Sequence, residues 1–272
     1  MLGKLLKHEF RATARIMWVL YAAMLALSVG MHFAIRYMQG SQTYLTLRIL
    51  SIIVAAFWVL ALIFCVVMTL VLMVQRFHKN LLTDEGYLMF TLPVSIHGLI
   101  VSKIIVSIVW FLLTGLVVGL GIGLAVLDSE FLQMCGEVIR EMIRYFDADA
   151  AKLTLQSAGM LAELLLLVII SAAATMLHFY AAMSLGYGFT GHKALWSVVW
   201  FFLISFVLQM IGMTLMMATG DSMFSWLFGS DSLSAVQVWN LSVLGSAAVN
   251  LIVAGALYVV TWLNLKKRLN LA

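Results

Sequence analysis

Long apolar runs alternate with short polar ones along nearly the whole chain. A membrane-spanning helix needs roughly 20 predominantly apolar residues. Runs of that kind fall at about 16–38, 49–74, 99–127, 159–185, 194–218 and 242–263, and predict six transmembrane helices. No polar stretch between them is long enough to bury a core of its own. Residues 1–272 are therefore predicted to form a single transmembrane domain, an all-α integral membrane fold.

The polar pieces carry patterns of their own. Residues 1–15 read MLGKLLKHEFRATAR. Leu2, Leu5, Leu6 and Phe10 share one helical face, with Lys4, Lys7, His8, Arg11 and Arg15 around the other. That predicts an interfacial amphipathic helix lying among membrane lipid headgroups. The same basic residues would also act simply as a flank that sets topology. A cleaved signal peptide fits poorly, because a span-length run and further spans follow and no A-x-A site is present. Between spans three and four, Phe131, Met134, Cys135, Val138, Ile139, Met142 and Phe146 recur at helical spacing. They predict an amphipathic helix, either a lid on the bundle or headgroups or a docking element. The segment 219–240 has no Lys or Arg yet holds Met223, Phe224, Trp226, Leu227, Phe228 and Trp239. Interrupted by Gly220, Gly229 and Asp231, it predicts a re-entrant hairpin.

Composition agrees with the pattern. Hydrophobic residues make up 64% of the chain and charged ones 10%, against about half and a quarter in soluble domains. The formal charge of +4 matters less than its placement. One set of span ends carries Lys4, Lys7, Arg11, Arg15, Arg76, Lys79, Lys103, Lys193, Lys266, Lys267 and Arg268; the other has Arg36, Arg48, Arg140, Arg144 and Lys152. The bias predicts both termini in the cytosol. No nucleic-acid partner is expected; membrane lipids are.

Candidate chemistry is sparse. Cys65 lies in a span and Cys135 in a loop helix, so no disulfide is predicted, and neither has a CxxC or CxxH neighbour. There is no GxxxxGK[ST] loop, so the chain is not expected to hold ATP in the P-loop manner. GxSxG and HExxH are absent and the histidines are scattered, which predicts no catalytic residue, no metal site and no enzyme. Gly115, Gly119 and Gly123 form a small-residue stripe suited to helix packing, without the preceding strand that a dinucleotide fingerprint needs. Glu163, His32, His178, Gln209 and Asn250 lie in or near spans and are expected to hydrogen-bond between helices. A Glu163–His178 relay fails on distance: fifteen residues along one helix are about 22 Å.

The most informative stretch is the polar island between spans two and three, QRFHKNLLTDEGYLMFTLPVSIHGLIVSK at 75–103. Arg76 and Lys79 open it, and Asp84, Glu85 and Gly86 follow. Then comes Tyr87-Leu88-Met89-Phe90-Thr91-Leu92, closed by Pro93, the only proline. Tyr, Met, Phe and two Leu within six residues predict a contact, with a protein or with headgroups; the residues alone leave both readings open.

The basic amphipathic N-terminus, the six spans with both ends inside, this island and the tail LKKRLNL at 265–271 together resemble the ABC-2 type permease subunits of bacterial ABC transporters. The architectural resemblance covers essentially the whole chain; at sequence level it is concentrated in the island and tail. It implies a coupling helix near 80–92 docking on a separate ATPase subunit. Tyr87, Leu88 and Phe90 would be its apolar contacts and Asp84 and Glu85 its polar rim. It implies ATP bound by the partner, none in this chain, and contact of the N-terminal helix with the same subunit. It also implies a second permease subunit, identical or paralogous, enclosing one pathway in the bacterial cell membrane, and an outer re-entrant segment between spans five and six. Two other readings compete. An ion-gradient-driven transporter would need midplane charges, and Glu163 is the one acidic candidate and lies near a span end. A passive anchor or immunity protein would tolerate loss of the apolar face at 87–92.

Overall fold

The computed structural model describes residues 2–39, 44–83, 86, 91, 95–126, 133, 134, 136–138, 140, 141, 144, 150–189, 191–228 and 235–267. Among them there are helices and no strands. The helices are α1 (Leu2–Gln39), α2 (Leu45–Leu81), α3 (Ile96–Val126), α4 (Ala150–Gly186), α5 (Lys193–Phe228) and α6 (Ala235–Lys267). All six are long and apolar enough to cross a membrane. The chain is a multi-pass membrane protein.

The solvent for this fold is legible in what faces out. Trp18, Phe33, Phe57, Leu161, Phe202 and Ile252 are more than half exposed, while Thr13, Ser28, Thr69, Ser102, Thr114 and Thr261 are buried. Water would reverse that arrangement. Hydrocarbon favours it, because lipid satisfies apolar side chains at no cost and hydroxyls find partners only inside.

Each helix runs past its apolar segment. The shortest has 31 residues and the longest 38. Even 31 residues rise about 46 Å, against a hydrocarbon core of about 30 Å. One expectation changes as a result. Residues 2–15 do not form a separate interfacial helix; they are the first turns of the continuous α1. Between Arg15 and Ile16 there is no Gly or Pro to break the backbone ladder. Lys4, Lys7, Arg11 and Arg15 are all solvent-exposed or outward-facing on that rod, at its start.

The helices fall into two units. The first comprises residues 1–73 and 105–142. Its centre is a stripe on α1: Glu9, Thr13, Met17, Tyr21, Met24 and Ser28, spaced three or four apart and all buried. Trp110 Nε1 donates to Thr13 Oγ1 at 2.8 Å, and the Tyr21 and Thr114 hydroxyls meet at 2.8 Å. Thr69 reaches Thr114 at 2.9 Å, and Trp58 Nε1 donates to Ser28 Oγ at 3.0 Å. Three helices are thereby laced together by hydroxyls. Glycine serves this unit at Gly121, where an added Cβ would lie 2.5 Å from Met24 Cε and 2.8 Å from Ser28 Oγ. The expected stripe behaves differently: Gly115, Gly119 and Gly123 have nothing within 4 Å of where a Cβ would stand. It packs no helix among the described residues. The described positions between 133 and 144 are helical, with Met134 and Val138 exposed.

The second unit comprises residues 74–104 and 143–272. In it α4 packs against both α5 and α6. Ala181, Ala182 and Ser184 give α4 a smooth buried face. At Gly186 a Cβ would collide with the Ser197 backbone, so the α4–α5 corner closes only around glycine. Gly191 and His192 take positive φ, 84° and 42°, to turn the chain into α5. The segment expected as a hairpin is helical at both ends, since α5 continues through Phe228 and α6 starts at Ala235; residues 229–234 lie outside the described ones.

Candidate functional site

The polar island joins α2 to α3, and the second unit contains both of its flanks. On the entry side, α2 stays helical through Leu81, well past its apolar run. Phe77, Leu81 and Leu82 are buried, which explains why a segment that reads as polar is not a free loop. The Phe77 ring stacks on Tyr180 of α4, with centroids 3.9 Å apart and planes 8° from parallel. One residue on, His78 Nε2 is hydrogen-bonded with the Tyr187 hydroxyl just past the end of α4. Burial pushes the Tyr187 phenol above its ordinary value of 10.0. Aromatic stacking and this bond hold the last two turns of α2 to α4.

The exit side is held by α6. Ser95 caps α3: its Oγ accepts from the Gly98 N–H at 3.2 Å, and its carbonyl accepts from Leu99 N at 3.2 Å. His97 then stacks against Trp262, centroids 5.1 Å apart, and against Tyr258. Its Nδ1 hydrogen-bonds the Tyr258 hydroxyl at 2.7 Å. Lys266 Nζ lies 4.9 Å from the Trp262 ring centre, completing a ladder up one face of α6.

Within the island, Gly86 is buried and its N–H donates to Thr83 O at 2.7 Å. A Cβ there would stand 2.7 Å from the Leu81 carbonyl oxygen, a backbone atom that cannot move aside. Asp84, Glu85, Tyr87, Leu88 and Phe90, the expected coupling residues, lie outside the described residues, as does Pro93. What is on view is therefore the frame around them: two histidine–aromatic clamps, one on each side, tied to different helices of the same unit.

The clamps have no signature in the sequence. His78 and Tyr187 are 109 residues apart, and His97 and Tyr258 are 161 apart, so no spacing rule links them. The remaining polar candidates divide. His178 does bond between helices, with Nε2 3.1 Å from Ser205 Oγ and 3.3 Å from Phe201 O. Asn240, its amide oriented to donate, reaches Glu163 Oε2 at 3.3 Å. The Asn250 amide donates to Ser246 O on its own helix. Gln209 is exposed and His32 borders Phe33. Among the described residues no three His, Cys, Asp or Glu side chains converge to hold a metal. Cys65 is a buried free thiol.

No protein-family model, curated protein or solved structure matches this chain.

Proposed function

We propose that this chain is the membrane-spanning permease subunit of an ATP-driven ABC transporter, of the ABC-2 type and working as an exporter. It performs no chemistry itself; ATP is bound and hydrolysed by a separate ATPase subunit. The observation that carries the reading is the double clamp. A subunit that converts a partner's motion into movement of a membrane bundle needs a stiff contact element, and this island is fastened to α4 through Phe77 and His78 and to α6 through His97. A segment that merely dips into headgroups has no need of two such anchors. In this reading the docking contacts are Tyr87, Leu88 and Phe90, rimmed by Asp84 and Glu85, on the cytosolic side together with both termini. The exposed stripe at Gly115 and Gly119 is free to meet a second permease subunit.

The assignment is tested by Leu88→Asp, which places a charge among the apolar contacts. The variant should insert into the membrane and fold as before, yet no longer bring the ATPase subunit into the membrane fraction. Undiminished recruitment by Leu88→Asp would contradict the docking assignment.

A further inference from the structure

The second unit contains a cavity of about 360 Å³ beside the entry clamp, to which the permease reading gives no role. Its walls come from Val74 at the end of the α2 apolar run, Phe179 and Met183 on α4, and Val198 on α5. His78 and Tyr187 also line it, and they are the hydrogen-bonded pair of the entry clamp. The order of residues along the helices gives the cavity two ends. On α2 the lining runs from Val74 and Gln75 to His78, and on α4 from Phe179 through Met183 to Tyr187, so both courses end at the hydrogen-bonded pair nearest the island. On α5, which runs the other way, Lys193 stands at the polar end and its Nζ lies 6.0 Å from the Tyr187 ring centre. None of the described lining residues is acidic.

We propose that this cavity binds an anionic phospholipid of the island-side leaflet, with an acyl chain between α2, α4 and α5 and its phosphate beside Lys193, His78 and Tyr187. Three features choose this occupant. The size is that of a small-molecule pocket, and the walls are almost wholly apolar, with His78 and Tyr187 at the end where Lys193 stands nearby. Val198, which lines it, is half-exposed on α5 beside the exposed Leu195 and Phe202, so acyl chains reach the rim of the cavity there. The polar end of the cavity falls just past the apolar run of α2, which ends at Val74, and Trp196 stacks on Phe189 at the adjoining corner, centroids 4.9 Å apart, as aromatic residues do at a membrane interface. Basic pockets between transmembrane helices at that level select anionic heads. The site does not depend on the permease reading, and either could fail alone.

The test uses the full chain in vesicles containing phosphatidylglycerol with a photoreactive group in its acyl chain, or the phosphatidylcholine counterpart. Cross-links are mapped by mass spectrometry. The anionic probe should label Met183 and Phe179 well above Phe206, an ordinary lipid-facing position. Val198→Trp, which fills the cavity from a half-exposed site, should remove the Met183 adduct. Lys193→Gln adds no bulk, and should reduce the preference for the anionic over the zwitterionic probe roughly fivefold, the effect of one Lys near an anionic surface. Equal labelling of Met183 and Phe206, an adduct undisturbed by Val198→Trp, or equal labelling by both lipids in the unaltered chain would overturn the proposal. Should Val198→Trp fail to insert, the Lys193→Gln comparison decides alone.

Discussion

Two tryptophans show how single hydrogen bonds are weighted when lipid replaces water. Trp110 is buried and its Nε1 donates to Thr13, whereas Trp200 Nε1 is buried with no acceptor among the described residues. Replacing each by Phe removes the same N–H. Trp110→Phe should destabilise the folded chain by roughly 0.6–1.7 kcal/mol, the range for interhelical bonds in membranes. Trp200→Phe should cost less or even stabilise, since it removes an unpaired buried donor. Denaturation of the two variants in the same detergent compares them directly; equal losses would show that ring packing, not the bond, sets the cost. Gly86 offers a second residue-scale case. Because its missing Cβ would press on the Leu81 carbonyl, Gly86→Ala should cost about 1–3 kcal/mol of overpacking and lower the unfolding temperature. An unchanged melting temperature would mean that the island backbone is easily rearranged. Neither residue could be singled out beforehand. Trp110 and Thr13 are 97 positions apart, and a glycine in a polar stretch reads as any other turn.

At the scale of the element, apolar length locates the helices but underestimates them. The run at 49–74 becomes a helix over Leu45–Leu81, and that at 242–263 becomes Ala235–Lys267. A hydropathy run stops at the first charges. The backbone ladder does not, because each turn satisfies its own hydrogen bonds and continues until a breaker or a better partner intervenes. The same logic merges the basic N-terminus into α1. The hydroxyl stripes were illegible for another reason: Ser and Thr recur on every face, and only neighbouring helices decide which are buried. The glycines make this testable. Gly121→Leu should disrupt the seat of α3 on Met24 and Ser28 and reduce the yield of folded chain. Gly119→Leu meets open space and should leave the folding of a single chain unchanged, while weakening association of two chains if the stripe serves the proposed subunit contact. Sedimentation in detergent, compared with thermal unfolding, separates the two effects. A Gly119→Leu chain that fails to fold would place a hidden partner within the same molecule.

For the whole molecule, the membrane class was written in the 64% hydrophobic composition and in the six runs, and both survive in the structure. The proposed function was legible only as far as the island stood out as a polar interruption with an apolar centre. Its anchoring through His78 and His97 needed the fold, because contacts between α2 and α4, and between α3 and α6, join parts of the chain that sequence keeps far apart. Whether the anchored island receives an ATPase is tested by purifying the chain from its native membrane in mild detergent, with mass spectrometry of the proteins that accompany it. A permease should bring a soluble subunit bearing a Walker A loop into the eluate, and lose it when the bait carries Leu88→Asp. A chain that elutes folded, reproducibly and alone would contradict the permease reading.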